Sequence, residues 1–386
     1  MSSVFEAPLL PTYARAPVTF ESGEGSWLVA DDGRRYLDFA GGIAVVGLGH
    51  CHPAATAAAH AQLDRLWHAS NLYWTRPMAE LAERLSTRFG GAKVFFCNSG
   101  AEAIEAALKY ARKATGRPGI VALEGSFHGR TFGALSVTGQ PAKRTAFEPL
   151  LPGVSFAQLN DVDSLRAACA GEPPACILME PVQGEGGVHA ATPEFLAAAA
   201  TLAEDTGALL AFDEIQTGVG RTGSFFAFEQ LGVRPALATL AKGLANGLPI
   251  GCLLVADAVA DAFEPGDHAS TFGGNPVACA AACAVMDALT DELLTGVRVL
   301  GAQLVEGLAG LPGVVETRGL GLLVGAELDR PAADVVSACL ERGLLVTSAG
   351  GNVVRLTPPL MVAAGEVEQA LAILGEALAC NETPPA

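Results

Sequence analysis

From about residue 90 onward, short apolar runs alternate with longer stretches of helical character. The runs are VFFC at 94–97, IVAL at 120–123, CILM at 176–179, ALLAF at 208–212, ALATLA at 236–241 and IGCLLVA at 250–256. Strands alternating with helices in this way predict a mostly parallel, wound α/β sheet. Upstream, SWLVADDGRRYLDFAGG reads as two short strands joined at Asp32-Gly33, and Pro53 to Leu66 reads as a helix. Downstream, Asn275 to Gly310 reads as one long helical segment. The tail then shows VVETRGLGLLVGAEL, a helix near 331–342, LLVTSAGGNVVRL and a last helix near 365–379, which together suggest a small α/β domain. The final NETPPA is expected to fray.

In an open α/β sheet, ligands bind beyond the carboxyl ends of the strands. Four apolar runs are followed there by chemistry-bearing residues: Asn98-Ser99-Gly100, Glu180, Asp213 and Lys242. That repetition points to one composite site.

Composition narrows the field. Half of the 386 residues are hydrophobic, which suits a sizeable core, and the net charge of −17 argues against a nucleic-acid partner. Nine cysteines without a Cys-x-x-Cys spacing read as reduced thiols of a cytoplasmic protein, and Cys279 and Cys283 as helix packing. The opening MSSVFEAPLLPTYAR lacks the basic start and apolar core of a signal peptide, and no apolar run reaches the length of a membrane span.

Lys242 lies in LATLAKGLANGLPIG, a lone cation among apolar residues and glycines. Desolvation lowers an amine's pKa and makes it nucleophilic, as a Schiff-base lysine requires, although for Lys242 alone a strand-end lysine that snorkels is the commoner case. Asp213, at the end of LLAFD, is placed to pair with the protonated ring nitrogen of pyridoxal 5′-phosphate (PLP); alone it also suits a turn or helix cap. Gln216 can reach a ring hydroxyl. Ser99-Gly100-Ala101 opens the helical run AEAIEAALKYARKA, and free N–H groups there suit a phosphate, a plain capping box, or both. Phe127 can stack on a pyridine ring. Arg130 can fork a substrate carboxylate, Glu185 and Arg355 form a second candidate charge pair at the substrate mouth, and Ser270-Thr271 offer hydroxyls before a glycine turn.

Two motifs are read as decoys. Gly218-Val-Gly220-Arg-Thr-Gly223 matches the dinucleotide fingerprint, but the preceding strand ends too early and no second strand with a terminal acid follows. His50-Cys51-His52 resembles a metal tripod, yet no further ligands stand at zinc spacing.

Taken together, the stretches LWHASNLY, FCNSGAEAIEAALK, FHGRTFGALSVTGQP, EPVQGEGGV, FDEIQTGVGRTG, AKGLANGLPIG, STFGGNP and RGLGLLVGAEL resemble the class III PLP-dependent aminotransferases over nearly the whole chain. The resemblance implies a fold-type I PLP-dependent transferase: residues 1–55 as an N-terminal segment of a small domain, 56–280 as the large PLP-binding domain, and 281–386 as the C-terminal small domain, begun by a long connecting helix. It implies a homodimer with shared active sites. Carried over residue by residue, Lys242 matches the Schiff-base lysine, Asp213 the carboxylate under the ring nitrogen, and Gln216 the ring-hydroxyl contact. Ser99, Gly100 and Ala101 match the phosphate turn, where many relatives have Thr in place of Ala101. Phe127 matches the stacking aromatic, Arg130 the arginine for the substrate α-carboxylate, and Thr271 a phosphate contact donated by the other subunit, with Ser270 touching substrate. Glu185 matches a glutamate that pairs with Arg355 and swings away when glutamate binds. Ornithine-specific relatives carry Tyr where this chain has Ile43, so the resemblance implies an acylated ornithine, N2-acetyl-L-ornithine first, as amino donor and 2-oxoglutarate as acceptor. Succinylornithine, ornithine or 4-aminobutyrate transamination and a glutamate-semialdehyde-type aminomutase remain open alternatives.

Overall fold

In the computed structural model, which describes residues 7–380, the apolar runs assemble into a seven-stranded sheet. From edge to edge its strands are Ala92–Cys97, Gly251–Ala256, Leu237–Leu240, Leu209–Asp213, Cys176–Met179, Ile120–Leu123 and Val154–Ala157. Six run parallel. Gly251–Ala256 is antiparallel to both its neighbours, pairing Gly251 with Cys97 and Leu240 with Cys252. Its amino end therefore lies at the same rim as the carboxyl ends of the other strands. Val154–Ala157, not evident from the apolar runs, is an edge strand whose alternating exposure breaks the apolar pattern.

Strand residues pass alternately to the two faces. Ala211 and Leu253 join one core with Ile104, Ala107 and Ala111 of the helix Gly100–Thr115. Phe212 and Leu254 join the opposite core with Leu81, Leu85, Phe195 and Leu196 from helices Arg76–Phe89 and Pro193–Thr206. The sheet is thus covered on both faces, and only its rims offer room for a ligand.

The second body has its own core. Leu37 and Phe39 pack there with Val297, Leu304, Val324, Val335, Leu356 and Leu374. Its antiparallel sheet runs in the order Val314–Leu320, Leu323–Leu328, Val353–Leu356, Thr347–Ala349. Leu37 pairs with Leu344, which ties the amino-terminal hairpin to the carboxyl-terminal body.

The helical stretch at 275–310 is two helices, Pro276–Ala288 and Asp291–Ala309. Thr290 is extended, its hydroxyl accepts from the Leu293 N–H at 3.2 Å, and Asp291 and Glu292 suit the positive end of the new helix. A boundary at 281 would cut the first of these helices, whose Cys279, Ala282 and Val285 belong to the large core. We propose the division at Leu289-Thr290, and on the amino side between Phe39 of the small core and Leu48 of the large one. The helix from Pro53 ends at Leu63, short of Leu66. The carboxyl-terminal residues 381–386, expected to fray, lie outside the described residues.

The Gly218–Gly223 motif builds a buried turn that links the two bodies. A Cβ at Gly218 would meet the Glu214 carbonyl at 2.7 Å, and Gly220 and Gly223 have φ of 87° and 89°. Within the turn, buried Arg221 donates to the carbonyls of Leu322 at 2.9 Å and Pro358 at 2.5 Å, both in the small body. The four-residue helix Phe228–Leu231 follows, not the long helix of a dinucleotide site.

Candidate active site

At the carboxyl rim, a cavity of about 310 Å³ opens between the strand ends. Ser99, Gly100, Ala101, Phe127, Asp213, Gln216 and Lys242 all line it, so seven of the residues singled out in the sequence meet in one place. His128, Glu180 and the segment Gly247–Ile250 complete much of the wall.

Lys242 stands two residues past the strand Leu237–Leu240 and adopts φ 42°, an unusual conformation for a residue with a side chain. Its amine faces the cavity. Burial, and then the charge of Arg355, push its pKa down to about 8, against the opposing pull of Glu185, Asp213 and Glu180. An amine in that range is available as a nucleophile near neutral pH.

Asp213 is 3% exposed and closes its own strand. Its Oδ1 accepts from the Ile215 N–H at 3.0 Å and the Thr239 hydroxyl at 3.4 Å, and its Oδ2 lies 2.7 Å from His128 Nδ1. The other imidazole nitrogen, Nε2, is buried with no hydrogen-bond partner. His128 stands 85 positions from Asp213, and nothing local in the chain announces their contact. Glu180 forms a further tie. Its two oxygens accept from the N–H groups of Phe127 at 2.8 Å and Gly184 at 3.1 Å, joining the Phe127 turn to the turn that carries Glu185. Burial first, and the charge of Asp213, raise the Glu180 pKa to about 7 although His128 and both N–H groups oppose the shift.

The helix Gly100–Thr115 begins at the cavity wall. The Ser99 hydroxyl accepts from Glu102 N–H at 3.2 Å, and Glu102 reaches back to accept from Asn98 N–H at 2.5 Å, a reciprocal cap. Capping and an exposed positive helix end therefore coexist. A Cβ on Gly100 would approach Ile215 Cδ1 to 2.8 Å, so a larger residue here would have to push the Ile215 side chain aside.

Glu185 and Arg355 form an ion pair of 2.5 Å, with Arg355 buried and Glu185 partly open. Arg355 also donates to Gln216 Oε1 at 3.2 Å and to the Thr347 hydroxyl at 3.2 Å, so the pair sits against the cavity wall. Burial alone would raise the Glu185 pKa. Arg355, through charge and hydrogen bond, more than offsets it, with Lys242 and Lys143 assisting, and the carboxyl is held below its usual range.

Four other expected residues lie outside the cavity wall. Arg130 is exposed, its guanidinium 5.6 Å from the centre of the Phe127 ring. The Ser270 hydroxyl accepts from Asn98 Nδ2 at 3.2 Å and from Gly273 N–H at 3.0 Å. Thr271 is exposed beside Phe272. Ile43 is 46% exposed and belongs to a left-handed turn in which Gly41, Gly42, Ile43 and Ala44 have φ of 55°, 62°, 66° and 59°. Such a run is costly for residues with a Cβ. It delivers Val45, two positions on, to the cavity. His50, from the apparent metal tripod, instead places Nε2 2.8 Å from Asp38 Oδ2.

The donor set fits PLP. A half-buried lysine, a buried carboxylate beside an unsatisfied imidazole nitrogen, an aromatic ring and an open helix start all converge on one cavity. Such a group, bound there, would meet a nucleophile, a counter-charge for a ring nitrogen and N–H donors for a phosphate.

Comparison with known proteins points the same way. A family model described as Aminotransferase class-III matches residues 11–378. A protein named acetylornithine aminotransferase from Caldanaerobacter subterraneus subsp. tengcongensis is 47% identical over 382 residues, covering 96% of this chain and 97% of the relative. Among solved structures, the ornithine aminotransferase of Toxoplasma gondii, described with partial occupancy of PLP at its active site, superposes with a TM-score of 0.93 at 33% identity, covering 97% of this chain and 92% of that one. The N-acetylornithine aminotransferase of Stenotrophomonas maltophilia does so with a TM-score of 0.83 at 36% identity, covering 95% and 97%.

Proposed function

The chain belongs to the class-III aminotransferases, which are PLP-dependent, and we propose that it moves the terminal amino group of N2-acetyl-L-ornithine to 2-oxoglutarate, giving N-acetylglutamate 5-semialdehyde and L-glutamate. The Glu185–Arg355 pair carries this reading. A donor that reacts through a terminal amine brings no carboxylate to the reacting carbon, and the closed pair leaves no free cation there to demand one. An α-keto acid does bring a carboxylate, and Arg355 can receive it once Glu185 turns away. One site thus serves two substrates of different charge.

The residues that would hold the cofactor are Lys242 as its covalent anchor, Asp213 as counter-charge for the ring nitrogen, Gln216 as partner of the ring hydroxyl, Ser99, Gly100 and Ala101 for the phosphate, and Phe127 for stacking; all line the one cavity. Bound so, PLP supplies an electron sink for the carbon that loses the amino group. Lys242 Nζ takes the proton from the donor's δ-carbon as general base and later returns it as acid, and its lowered pKa suits both duties. Asp213, fixed at its strand end by the Ile215 N–H, is placed to hold the ring nitrogen's proton. Arg130 grips the donor's α-carboxylate, so that the far amine, not the near end, enters the cavity where it would displace Lys242 from the cofactor.

A second copy of the chain completes the site. Trp67, Leu72, Tyr73, Trp74 and Phe272 are 61–87% exposed, and Phe272 adjoins Thr271; exposed large apolar side chains of this kind suit a subunit interface. In the homodimer Thr271 reaches the partner's phosphate site and Ser270 its substrate. The eight cysteines whose side chains are described are free, which suits the reducing cytoplasm. Among the described residues no helix is long and apolar enough to cross a membrane.

Turnover of N2-acetylornithine, N2-succinylornithine, ornithine and 4-aminobutyrate with 2-oxoglutarate tests the donor. The acetylated substrate is expected to show the highest kcat/KM, by about tenfold or more over free ornithine, because an uncompensated α-ammonium must be desolvated. Preference for ornithine or 4-aminobutyrate would overturn the reading, and steady conversion without any acceptor would indicate an aminomutase. Ile43→Tyr adds a hydroxyl at the mouth that can accept from that α-ammonium. It is expected to shift the kcat/KM ratio toward ornithine by about tenfold, and an unchanged ratio would remove Ile43 from the specificity account.

A further inference from the structure

The Phe127 ring carries two cations. Arg130 Cζ lies 5.6 Å and Lys143 Nζ 5.1 Å from its centroid. Neither makes an ion pair among the described residues, although the chain holds 41 acidic residues against 24 basic ones. Lys143 is half-buried, and its hydrogen bond goes to a neutral group, the Gln140 side-chain oxygen. The Gln140 amide nitrogen is itself held by the Gly125 carbonyl at 3.0 Å, so the oxygen is turned to Lys143 and the ammonium is steered over the ring. Of the carboxylates whose charge acts on Lys143, Glu185 is committed to Arg355, and Glu180 is buried and accepts from the Phe127 and Gly184 N–H groups.

Two like charges drawn to one aromatic ring repel each other, and the Arg130 charge does act on Lys143; ring attraction only partly offsets that repulsion. An anion lying between them removes the conflict. Phe127 lines the cavity while Arg130, exposed, and Lys143, half-buried, stand outside its wall, so an anion held by both would lie at the solvent side of the Phe127 ring.

We propose that Lys143 is a substrate-binding residue that joins Arg130 in a two-cation clamp for the carboxylate remote from the reacting carbon. Resting on the substrates proposed above, the clamp holds the α-carboxylate of N2-acetylornithine in the first half-reaction and the distal carboxylate of 2-oxoglutarate in the second. Arg130 supplies a planar fork and Lys143 a point charge from the other side. Gln140 is its positioning residue.

The test uses the holoenzyme. Lys143→Gln is expected to raise the KM of both N2-acetylornithine and 2-oxoglutarate on the order of tenfold, the loss of one charge-assisted hydrogen bond, while kcat changes by less than about twofold. For N-acetyl-1,4-diaminobutane, a donor without the carboxylate, and for pyruvate, an acceptor without the distal one, KM should stay the same. Lys143→Arg should restore much of the affinity. Equal rises for carboxylate-bearing and carboxylate-free substrates would show a structural role and overturn the proposal, as would no rise for any of them. Calorimetric titration with glutarate gives a readout without turnover: weaker binding to Lys143→Gln supports the clamp, and unchanged binding overturns it. If the wild-type enzyme does not turn over N2-acetylornithine, the donor assignment falls. The glutarate titration and the comparison of 2-oxoglutarate with pyruvate, run with a carboxylate-free amine, then still decide the role of Lys143.

Discussion

Lys242→Ala is expected to lower turnover by about 10⁴-fold or more while the protein stays folded, because the covalent anchor and the general base disappear together. The fold should tolerate the change. Lys242 faces a cavity instead of filling a core, and its amine is destabilised in the charged form by burial and by Arg355. Removing a strained cation from that position sacrifices no ion pair seen among the described residues. Two measurements check the expectation: steady-state turnover with N2-acetylornithine and 2-oxoglutarate, and the visible absorbance of the lysine-bound cofactor, which should vanish. A thermal melt within a few degrees of wild type would show that loss of activity is not loss of fold. Normal turnover in the variant would overturn the assignment of Lys242.

The reason Lys242 can be read from the chain at all is positional. Lys242, Asp213 and the Ser99 turn each stand directly beyond an apolar run, and a wound sheet brings the ends of its parallel strands to one rim. Phe127, beyond IVALEGS, follows the same logic. Glu180 is legible as a residue at a strand end, but its task is not, since the two N–H groups it receives come from turns that only tertiary folding brings together. His128 is hidden for the same reason: its partner lies on a strand far along the chain. The antiparallel strand Gly251–Ala256 reads like its parallel neighbours because both kinds are buried on two faces here. Lys143 carries no signal in an exposed-looking PAKR stretch, and its neighbourhood emerges only when Gln140 and Phe127 are placed in space. The break at Leu289-Thr290 is written in the chain as Thr-Asp-Glu, a helix-start signature masked by the high helical character on either side.

Asp213→Asn is expected to cost about 10²- to 10³-fold in kcat, with a much smaller change in the KM of either substrate. The substitution keeps the shape and removes the charge. The amide oxygen of the new side chain can still accept from the Ile215 N–H, so the strand end should hold its conformation. What changes is the electrostatics of the cavity floor. An amide does not hold a proton on a ring nitrogen, so charge developing on the substrate carbon loses its sink. Across the other contact, the amide nitrogen now faces His128 Nδ1 and donates to it, which forces the imidazole proton onto Nε2. A spectroscopic readout separates charge loss from misfolding. The Asp213 charge helps raise the Glu180 pKa to about 7, so without it Glu180 should ionise at a lower pH. A raised carboxyl stays protonated, and shows a carboxylic-acid infrared band, up to its pKa. In Asp213→Asn that band should disappear at lower pH than in wild type, while in Asp213→Glu, which keeps the charge but lengthens the side chain, it should persist near neutrality. Wild-type kcat in Asp213→Asn would mean that the ring nitrogen's proton is not held by this carboxylate. A fallen kcat with an unmoved Glu180 transition would mean that the two acids do not share a field, and that the loss arises from geometry instead of charge.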